Sequence, residues 1–495
     1  MKKSLLWMLA AILTCGLMFT SCTDNEDNPS TDIIPEDVDL KEPLTIEAVE
    51  DGEIYLCLET DLPEPIYYRV NGGEKQMVMK MKEDSENESL MYTTIALKTG
   101  DKVQLFSRNA SLNYDYENTN GFYISFDTDC YVYGNVMSLI SSDGNWKDNK
   151  EIKEPYALTS LFCYTSIVSH PTRRLMLPAT KLTKDCYSFM FAGSSITDAP
   201  ELPATQLAER CYNFMFSYCD NLKKAPALPA TELADGCYSY MFWSCSGLTE
   251  APELPATKLV DNCYEYMFCL CGALTEAPEL PATQLAENCY CFMFGSCVSL
   301  TKAPELPATT LAEGCYKYMF DGCEHLAEAP ELPATTLKPS CYSGMFSETA
   351  LTVAPVLPAT TLAESCYESM FSYCEALTKA PALPVTQLAK RCYAYMFSHC
   401  KNLTGTIELP AEQLPERCYS AMFSRCSKLS SIKCLAKTMT GEYALSSWLE
   451  NAGTDESVST RTLMHAPGTP WVNSDEFPRK LTDWFAPTGW TLVSL

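Results

Sequence analysis

The sequence predicts an α/β solenoid, a right-handed coil of short helices and very short parallel strands that follows a small all-β sandwich. The main observation is a motif, Cys-Tyr-x-x-Met-Phe, that occurs ten times in residues 179–428 at intervals of 25 or 26 residues. Self-similarity at this period is typical of stacked repeats, in which each coil completes the hydrophobic core of its neighbour. The motif cysteines are Cys186, Cys211, Cys237, Cys263, Cys289, Cys315, Cys341, Cys366, Cys392 and Cys418.

The spacing of apolar residues inside one repeat is the second observation, and it predicts a helix. Counted from the motif cysteine, positions 0, +1, +4, +5 and +8 are apolar. At about 100° per residue, these positions lie within an arc of roughly 140°. The following segment alternates apolar and polar residues but contains two prolines, which donate no N–H, so we expect parallel strands of about three residues there. Parallel strands joined by helical segments favour a right-handed coil.

The regions on either side of the repeats have a different composition. Residues 43–135 contain short β-rich segments separated by turn signals such as Asn71-Gly72-Gly73, which predict the β-sandwich. Residues 136–178 form the connector and a degenerate first coil that caps the array. Residues 429–495 break the pattern and contain Trp448, Trp471, Trp484 and Trp490, which predicts a lid over the last coil, with a glycan site as the alternative.

The amino terminus predicts export and anchoring. Residues 1–22 have a basic start, an apolar run and a Thr-Ser-Cys ending that resembles a bacterial lipobox, with Cys22 as the lipidated residue. Residues 23–42 form an acidic tether whose first residues resemble the surface-export signal of Bacteroides-type lipoproteins. We therefore expect an outer-membrane protein that is held by its lipid anchor alone and faces the cell exterior. The plainer alternatives are an ordinary secretory signal and a solvated tether.

Composition and motifs narrow the class of function. The net charge of −27 argues against nucleic-acid binding, because phosphate recognition needs a basic face. The sequence contains no Gly-x-Ser-x-Gly, His-Glu-x-x-His or phosphate-loop motif, and its four histidines are scattered. We therefore predict a protein that is not an enzyme and that needs no cofactor or metal.

The cysteines follow the repeat. Of 26 cysteines, ten begin the motif and eight more stand eight residues later, while Ser194 and Thr349 occupy that position in two repeats, each of which is followed by a 25-residue interval. A thiol that follows the repeat phase is typical of a packing role, since free cysteine behaves as a small apolar residue. We favour structural thiols, with disulfides or a metal site as the alternatives.

Two columns of side chains are candidates for binding a partner. The first is the position three residues after the motif cysteine, at the rim of the predicted buried arc, where an aromatic row would bind protein or sugar or would pack coil against coil. The second is the glutamate of the Ala-Pro-Glu segment, which would bind a cation or a basic partner or would form a solvated face. The candidates are Phe189, Phe214, Tyr240, Tyr266, Phe292, Tyr318 and Tyr395 in the first column and Glu253, Glu279, Glu305 and Glu331 in the second.

The repeats resemble a known family. The core CYxxMFxxC, a following Leu and the segment APxLPAT are similar to the BspA-like, Treponema-type leucine-rich repeats of bacterial surface lipoproteins. The resemblance covers most of the chain after the predicted signal peptide. It implies a leucine-rich-repeat solenoid, a location on the cell surface and a role as an adhesin for host matrix proteins such as fibronectin and fibrinogen.

Three hypotheses for function remain open at this point. The first is an adhesin that binds a host extracellular protein through the solenoid. The second is a lipoprotein that captures glycans for nutrient uptake. The third, which the sequence favours least, is an enzyme whose site lies in the tryptophan-rich tail.

Overall fold

The computed structural model describes residues 40–80, 82–83, 90–113, 121–473 and 484–495. These residues belong to one compact unit, which spans Glu36–Leu495. The predicted signal peptide, Cys22 and most of the tether lie outside the described residues. No helix of the described residues is long and apolar enough to cross a membrane.

The amino-terminal region consists of two antiparallel sheets. The strands are β1 Thr45–Ala48, β2 Gly52–Leu58, β3 Ile66–Val70, β4 Gln76–Met77, β5 Lys82–Glu83, β6 Leu90–Met91, β7 Thr93–Leu97, β8 Lys102–Ser107, β9 Phe122–Phe126 and β10 Cys130–Asn135. One sheet has the order β4-β3-β8-β1-β10 and the other has the order β7-β2-β9, while β5 and β6 form a separate pair. Alternate residues of the strands are buried, as in the pattern of β9.

The two sheets are joined directly to the degenerate coil that precedes the ten repeats. Strand β10, which a 3-10 turn at Val136–Leu139 follows, pairs in parallel with β11 (Ile167–Val168) and β12 (Leu175–Met176). From the second sheet, the N–H of Ile124 donates to the carbonyl of Leu161 at 3.0 Å. The sheets therefore cover this degenerate coil, and one hydrophobic core continues from them into the repeats.

The prediction of a short helix in each repeat is wrong. Residues 151–473 of the described chain contain no α-helix. We number the coils 1 to 10 by their motif cysteines, from Cys186 to Cys418, and count positions from that cysteine. In every coil, the segment that was expected to be helical is a ribbon of overlapping turns.

Coil 4 shows how the backbone of this ribbon is satisfied. The N–H groups of Glu265 and Met267 donate within the coil, three residues back, at 3.2 Å each. The N–H groups that alternate with these point toward the next coil, and those of Tyr266 and Phe268 donate to coil 5 at 2.8 and 2.9 Å. Alternate N–H groups therefore close turns and join coils, so each buried donor has a partner without a helix.

The ribbon needs a left-handed backbone at every fourth residue. In coil 4, the residues with positive φ are Asn262 at 55°, Tyr266 at 54° and Leu270 at 65°, which are positions −1, +3 and +7. A positive φ is unfavourable for residues other than glycine, and several coils use glycine there, as at Gly314 and Gly322 in coil 6. The repeated hydrogen bonds between coils stabilise this strained backbone.

The close spacing of the coils explains why helices are excluded. Ring centroids of equivalent residues in adjacent coils lie 4.0–6.1 Å apart, from Tyr373–His399 to Tyr393–Tyr419. Straight helices pack with axes about 8–10 Å apart, whereas hydrogen-bonded extended chains lie about 4.8 Å apart. A coil that bonds directly to its neighbours must therefore use a flatter backbone than an α-helix.

The core is built from five stacked columns, at the positions that the sequence marks as apolar. The cysteines at 0, tyrosines at +1, methionines at +4 and phenylalanines at +5 are at most 2% exposed in all ten coils. Adjacent tyrosines of this column stack at 5.7–6.1 Å and adjacent phenylalanines at 5.4–6.0 Å. Each coil therefore buries its apolar side chains against equivalent side chains of the next coil.

The cysteine at +8 links adjacent coils. Its thiol donates to the carbonyl of the +5 phenylalanine in the preceding coil, as from Cys297 to Phe268 at 3.1 Å. The same bond is present at all eight of these cysteines, between 2.9 and 3.1 Å. All cysteines in the described residues are free thiols. The repeat phase of this cysteine therefore reflects a hydrogen bond between coils.

Regular strands occur where the repeat lacks its first proline. Coils with both prolines make isolated parallel bridges, such as Gln284 with Thr310. At the position of that proline, Ile407 and Ile432 stand in two parallel strands that continue into the tail. The strands are β13 Thr406–Leu409, β14 Gln413–Leu414, β15 Ser431–Cys434, β16 Thr438–Met439, β17 Arg461–His465, β18 Val472–Asn473, β19 Phe485–Ala486 and β20 Trp490–Ser494.

The tail begins with a segment that bonds like a further coil. The N–H of Phe423 donates to the carbonyl of Trp448 at 2.9 Å, which is the bond that joins earlier coils. Trp448 and Trp490 are fully buried, and the indole N–H of Trp448 donates to the carbonyl of Phe485 at 3.1 Å. These tryptophans therefore fill the end of the hydrophobic core.

Candidate binding surfaces

The aromatic residues at +3 form a continuous stack on the outer side of the ribbon. Six rings in coils 1 to 6 lie face to face, with centroids 4.3–4.6 Å apart and planes within 16° of parallel. We call them the aromatic ladder: Phe189, Phe214, Tyr240, Tyr266, Phe292 and Tyr318. All six are half-buried. Because each ring face is covered by the next ring, the ladder stabilises coil-to-coil packing.

The ladder ends at coil 7. Gly344 stands at +3 there, and a Cβ atom on Gly344 would lie 2.1 Å from the ring of Tyr318. Ser369 and Ala421 occupy the equivalent positions of coils 8 and 10. Tyr395 in coil 9 is therefore separated from the ladder, and its side chain is 44% exposed.

Trp243 shows how a side chain at +6 fits between two columns. Its indole contacts the ladder rings of Phe214 and Tyr240 edge-on, at centroid distances of 6.0 Å each. It also contacts Tyr218, at position +7 of coil 2, at 4.9 Å. A +6 side chain therefore lies between the +3 and +7 columns, and a large one covers both. In coils 7 to 10, this position is a buried serine, at Ser347, Ser372, Ser398 and Ser424.

The second candidate column lies on the segment between Ala-Pro and Pro-Ala. Glu253, Glu279, Glu305 and Glu331 occupy consecutive coils, and all four are exposed. The alternation that buries the leucine after each glutamate also exposes the next proline, at Pro255, Pro281, Pro307 and Pro333. We call this surface the Glu-Pro face. Shallow grooves of about 620 and 590 Å³ lie between its coils.

Ion pairs distinguish the Glu-Pro face from the end coils. Among the described residues, none of these four glutamates forms an ion pair. Nearer the carboxyl end, lysines pair with glutamates of the preceding coil, as in Lys401–Glu375 at 2.5 Å and Lys433–Glu408 at 3.2 Å. Carboxylates in adjacent coils repel one another when no cation lies between them. Lys302 lines both grooves beside these glutamates, so the Glu-Pro face carries a negative charge that is only partly compensated.

Burial shifts the pKa of several groups near the ladder. Burial raises the pKa of Asp321, at +6 of coil 6, to about 6, although a hydrogen bond from Ser347 opposes the shift. Burial likewise raises the pKa of the Glu265 carboxyl, and the charge of Lys317 opposes that shift. Burial also raises the pKa of Cys297 well above its usual range. The core thiols are therefore protonated and unreactive at neutral pH.

Two features of these surfaces were not predicted. Tyr373 and His399, both at +7, stack with ring centroids 4.0 Å apart, and Trp243 joins the two columns in coil 3. Tyr373, His399 and Trp243 stand at positions where the residue type differs among the coils, so a search for repeated residues passes over them. The described residues contain no cluster of three or more His, Cys, Asp or Glu side chains that could hold a metal ion.

Comparison with known proteins identifies the repeats. The BspA type leucine rich repeat region matches residues 184–327 and 340–452 in 6 copies, which is more than half of the chain. No curated protein and no solved structure matches the chain. Leucine-rich repeats of this type form a binding family rather than an enzyme family, and such repeats generally mediate protein binding. The stacked coils with a buried Cys-Tyr-x-x-Met-Phe core therefore place this chain in the BspA-type leucine-rich repeat family.

Proposed function

We propose that this chain is a cell-surface adhesin that binds a host extracellular protein through its Glu-Pro face. The observation that carries the proposal is the column of four exposed glutamates in consecutive coils, which form no ion pair among the described residues and lie beside four exposed prolines. Prolines at this edge present apolar surface without a competing N–H group. A basic segment of a partner would relieve the repulsion between carboxylates and would cover the prolines at the same time.

The repeat geometry favours an extended protein ligand over a sugar. The six rings of the aromatic ladder cover one another, so their faces are not free to stack on a sugar ring. Trp448 and Trp490 in the tail are buried as well. The aromatic ladder and these two tryptophans, which suggested glycan capture or a site in the tail, thus contribute to packing, whereas Tyr395 is exposed.

Binding of the intact chain to immobilised host proteins tests the proposal. Surface plasmon resonance against a panel that includes fibronectin and fibrinogen should show saturable binding that weakens as salt rises. The double variant Glu279→Gln/Glu305→Gln should lower the affinity about tenfold. The matched control is Glu408→Gln/Glu412→Gln, which removes the same charge from glutamates that pair with Lys433 and Lys437.

Two outcomes would contradict this assignment of the surface. One is equal loss of affinity in both double variants, which would show that net charge rather than the Glu-Pro face matters. The other is saturable binding to soluble polysaccharides and to none of the proteins. The second outcome would favour glycan capture.

The proposed location depends on the amino terminus. We expect Cys22 to carry the lipid anchor, with the solenoid outside the outer membrane. Cys22→Ala should move the protein from the membrane fraction to the soluble fraction, and protease added to intact cells should degrade the anchored wild-type chain. Membrane association of Cys22→Ala equal to that of the wild type would refute the anchor.

A further inference from the structure

Two valines in coil 7 interrupt the charged columns of the Glu-Pro face. Each of coils 1 to 8 contains an Ala-Pro pair, and the residue before this pair is charged in all of them except coil 7. The residue after the pair is glutamate in coils 3 to 6. In coil 7 these two residues are Val353 and Val356, whose side chains are 70% and 80% exposed. No other large hydrophobic side chain of the described residues is as exposed as either of them.

The valines lie where the grooves of the Glu-Pro face continue toward the carboxyl end. The grooves between coils 4 and 6 are lined by the residues on both sides of Ala-Pro, such as Glu328 and Glu331 in coil 6. Coils 6 and 7 stack as earlier coils do, with core ring centroids 5.8 Å apart, and a parallel bridge joins the segments that follow their Ala-Pro pairs. Val353 and Val356 therefore stand beside Glu328 and Glu331 on one surface.

Coil 8 extends this apolar surface and then limits it. Ala382 occupies the Val356 position of coil 8 and is exposed, as is Pro384. The residue before Ala-Pro in coil 8 is Lys379, which is exposed as well. We call Val353, Val356, Ala382 and Pro384 the valine patch. Exposed apolar surface that is bordered by charged residues is typical of protein-binding sites.

The charges on the two sides of the valine patch are unequal. The grooves on its amino-terminal side are lined by five glutamates and one lysine, which are Glu276, Glu279, Glu305, Glu328, Glu331 and Lys302. On the other side, Lys379 is the one charged residue of these columns in coil 8, and Glu408 of coil 9 is paired with Lys433 at 3.2 Å. A basic segment is therefore attracted to coils 4 to 6 and repelled by coil 8. The net charge of −27 disfavours a second copy of this acidic chain as the occupant.

We infer that the valine patch is a docking site for an aliphatic side chain at the end of a basic, extended segment of a protein partner. The aliphatic side chain would cover the two valines, and basic residues would continue over Glu331, Glu305 and Glu279. From Glu279 to Val356 there are three coil intervals, roughly 14 Å in all, which an extended segment of about four or five residues spans. This inference rests on the proposed binding by the Glu-Pro face and adds the contact that determines where the partner sits along it.

Two peptides of equal charge test the docking of an aliphatic side chain to the intact chain. The probe is acetyl-Lys-Thr-Lys-Thr-Leu-Thr-Leu-amide, and the comparison peptide has serine in place of both leucines. NMR of isotope-labelled valine methyl groups follows the titration, and the resonances of Val353 and Val356 are identified by their loss in Val353→Thr and Val356→Thr. We expect the leucine peptide to bind about tenfold more tightly and to shift both resonances. Equal affinities for the two peptides would overturn the inference.

A variant of coil 7 separates apolar docking from attraction by charge. Val353→Glu/Val356→Glu introduces charged residues of the kind that other coils carry at these exposed positions, so the circular dichroism spectrum should not change. The preference for the leucine peptide should fall from about tenfold to about twofold or less, while the affinity for the serine peptide should not fall. A preference that is retained in this variant would overturn the inference.

The matched control adds charge to the same column at a distance from the valine patch. Ala227 is exposed and occupies the Val356 position of coil 2. Ala227→Glu should keep the preference for the leucine peptide at about tenfold. Sedimentation velocity of the wild type tests the other occupant, and we expect a monomer at micromolar concentration. A dimer that Val353→Glu/Val356→Glu dissociates would assign the valine patch to a second copy and would overturn the inference.

The panel of matrix proteins separates this inference from the proposed adhesin function. Loss of binding in Glu279→Gln/Glu305→Gln, with full binding in Val353→Glu/Val356→Glu, would refute the valine patch and leave the Glu-Pro face in place. The reverse result would support the valine patch and refute the role of the glutamates. If no protein of the panel binds, the adhesin proposal fails, and the two peptides still decide whether the valine patch is a docking site.

Discussion

Coils 1 to 6 and coils 7 to 10 have the same core but different outer sides. In both sets the buried columns of Cys, Tyr, Met and Phe continue without a break. On the outer side, coils 1 to 6 carry the aromatic ladder, whereas coils 7 to 10 carry Gly344, Ser369, Tyr395 and Ala421. The backbone is left-handed at +3 in all ten coils. The core thus determines the fold, and the outer side can change without changing it.

The largest expected effect tests whether the two sets of coils share one core. Phe268→Ala in coil 4 and Phe397→Ala in coil 9 each remove a fully buried ring that is stacked on both sides. Each change should lower the free energy of unfolding by about 3–5 kcal/mol, because it leaves a cavity in a close-packed column. Urea unfolding followed by circular dichroism measures both values.

The difference between the losses of stability in these two variants is as informative as the size of each loss. Similar losses would show that the ladder contributes little to how well the core is packed. A loss below about 1 kcal/mol in coil 9 alone would mean that its core relaxes around the cavity, contrary to an equivalent core.

Substitutions on the outer side should lower the free energy of unfolding by different amounts in the two sets of coils. Tyr266→Ser removes a ring that stacks on Tyr240 and Phe292 at 4.6 Å each, whereas Tyr395→Ser removes a ring with no stacked neighbour among the described residues. We expect a loss of about 2–3 kcal/mol for the first and less than about 0.5 kcal/mol for the second. Thermal unfolding by calorimetry distinguishes them, and equal losses would contradict the stabilising role of the ladder.

The buried positions of each repeat were predictable from the sequence, and the wrong prediction of a helix has a definite cause. Positions 0, +1, +4, +5 and +8 are apolar, and all are buried where the consensus holds. Over nine residues, a period of 3.6 and a period of 4 place the same positions on one side, so the pattern did not discriminate between them. The prediction of which positions are buried was therefore correct, while the prediction of a helix was wrong.

A signal for the period of four was present in the sequence. Gly236, Gly314, Gly344 and Gly322 stand at positions −1, +3 and +7, where the backbone is left-handed. Glycine and asparagine at every fourth residue are unfavourable in a helix and typical of turns. This information was masked because tyrosine and phenylalanine occupy +3 in most coils. Their strain is offset by stacking that a single repeat does not reveal.

The boundary between the two sets of coils contains a half-buried acid that makes stability depend on pH. The pKa of Asp321 is raised from 3.8 to about 6 by burial, so the folded state binds its proton more tightly than the unfolded state. The protonated carboxyl therefore contributes its full stability below pH about 4, and this is lost as the pH rises through about 6. Asp321→Asn cannot ionise and should be more stable than the wild type by about 1–2 kcal/mol at pH 7.5.

Urea unfolding at several pH values checks the Asp321 prediction. The difference between Asp321→Asn and the wild type should be small at pH 4 and should grow between pH 5 and 7, around the raised pKa of about 6. Glu331→Gln, which changes an exposed carboxylate of the Glu-Pro face, is the control and should show no such growth. A difference that does not change with pH would show that folding does not shift the pKa of Asp321.

The smallest expected effect extends the ladder by design. Ser369 has φ at 57°, close to the values of Tyr318 and Tyr395, so Ser369→Tyr fits the backbone without new strain. The new ring would stack on Tyr395 at the ladder spacing and should raise the free energy of unfolding by about 0.5–1 kcal/mol. It should also decrease the exposure of Tyr395, which solvent-accessibility NMR of the tyrosine ring protons measures. No gain in stability, with Tyr395 as exposed as before, would mean that coils 7 to 10 do not hold their outer side chains in the ladder geometry.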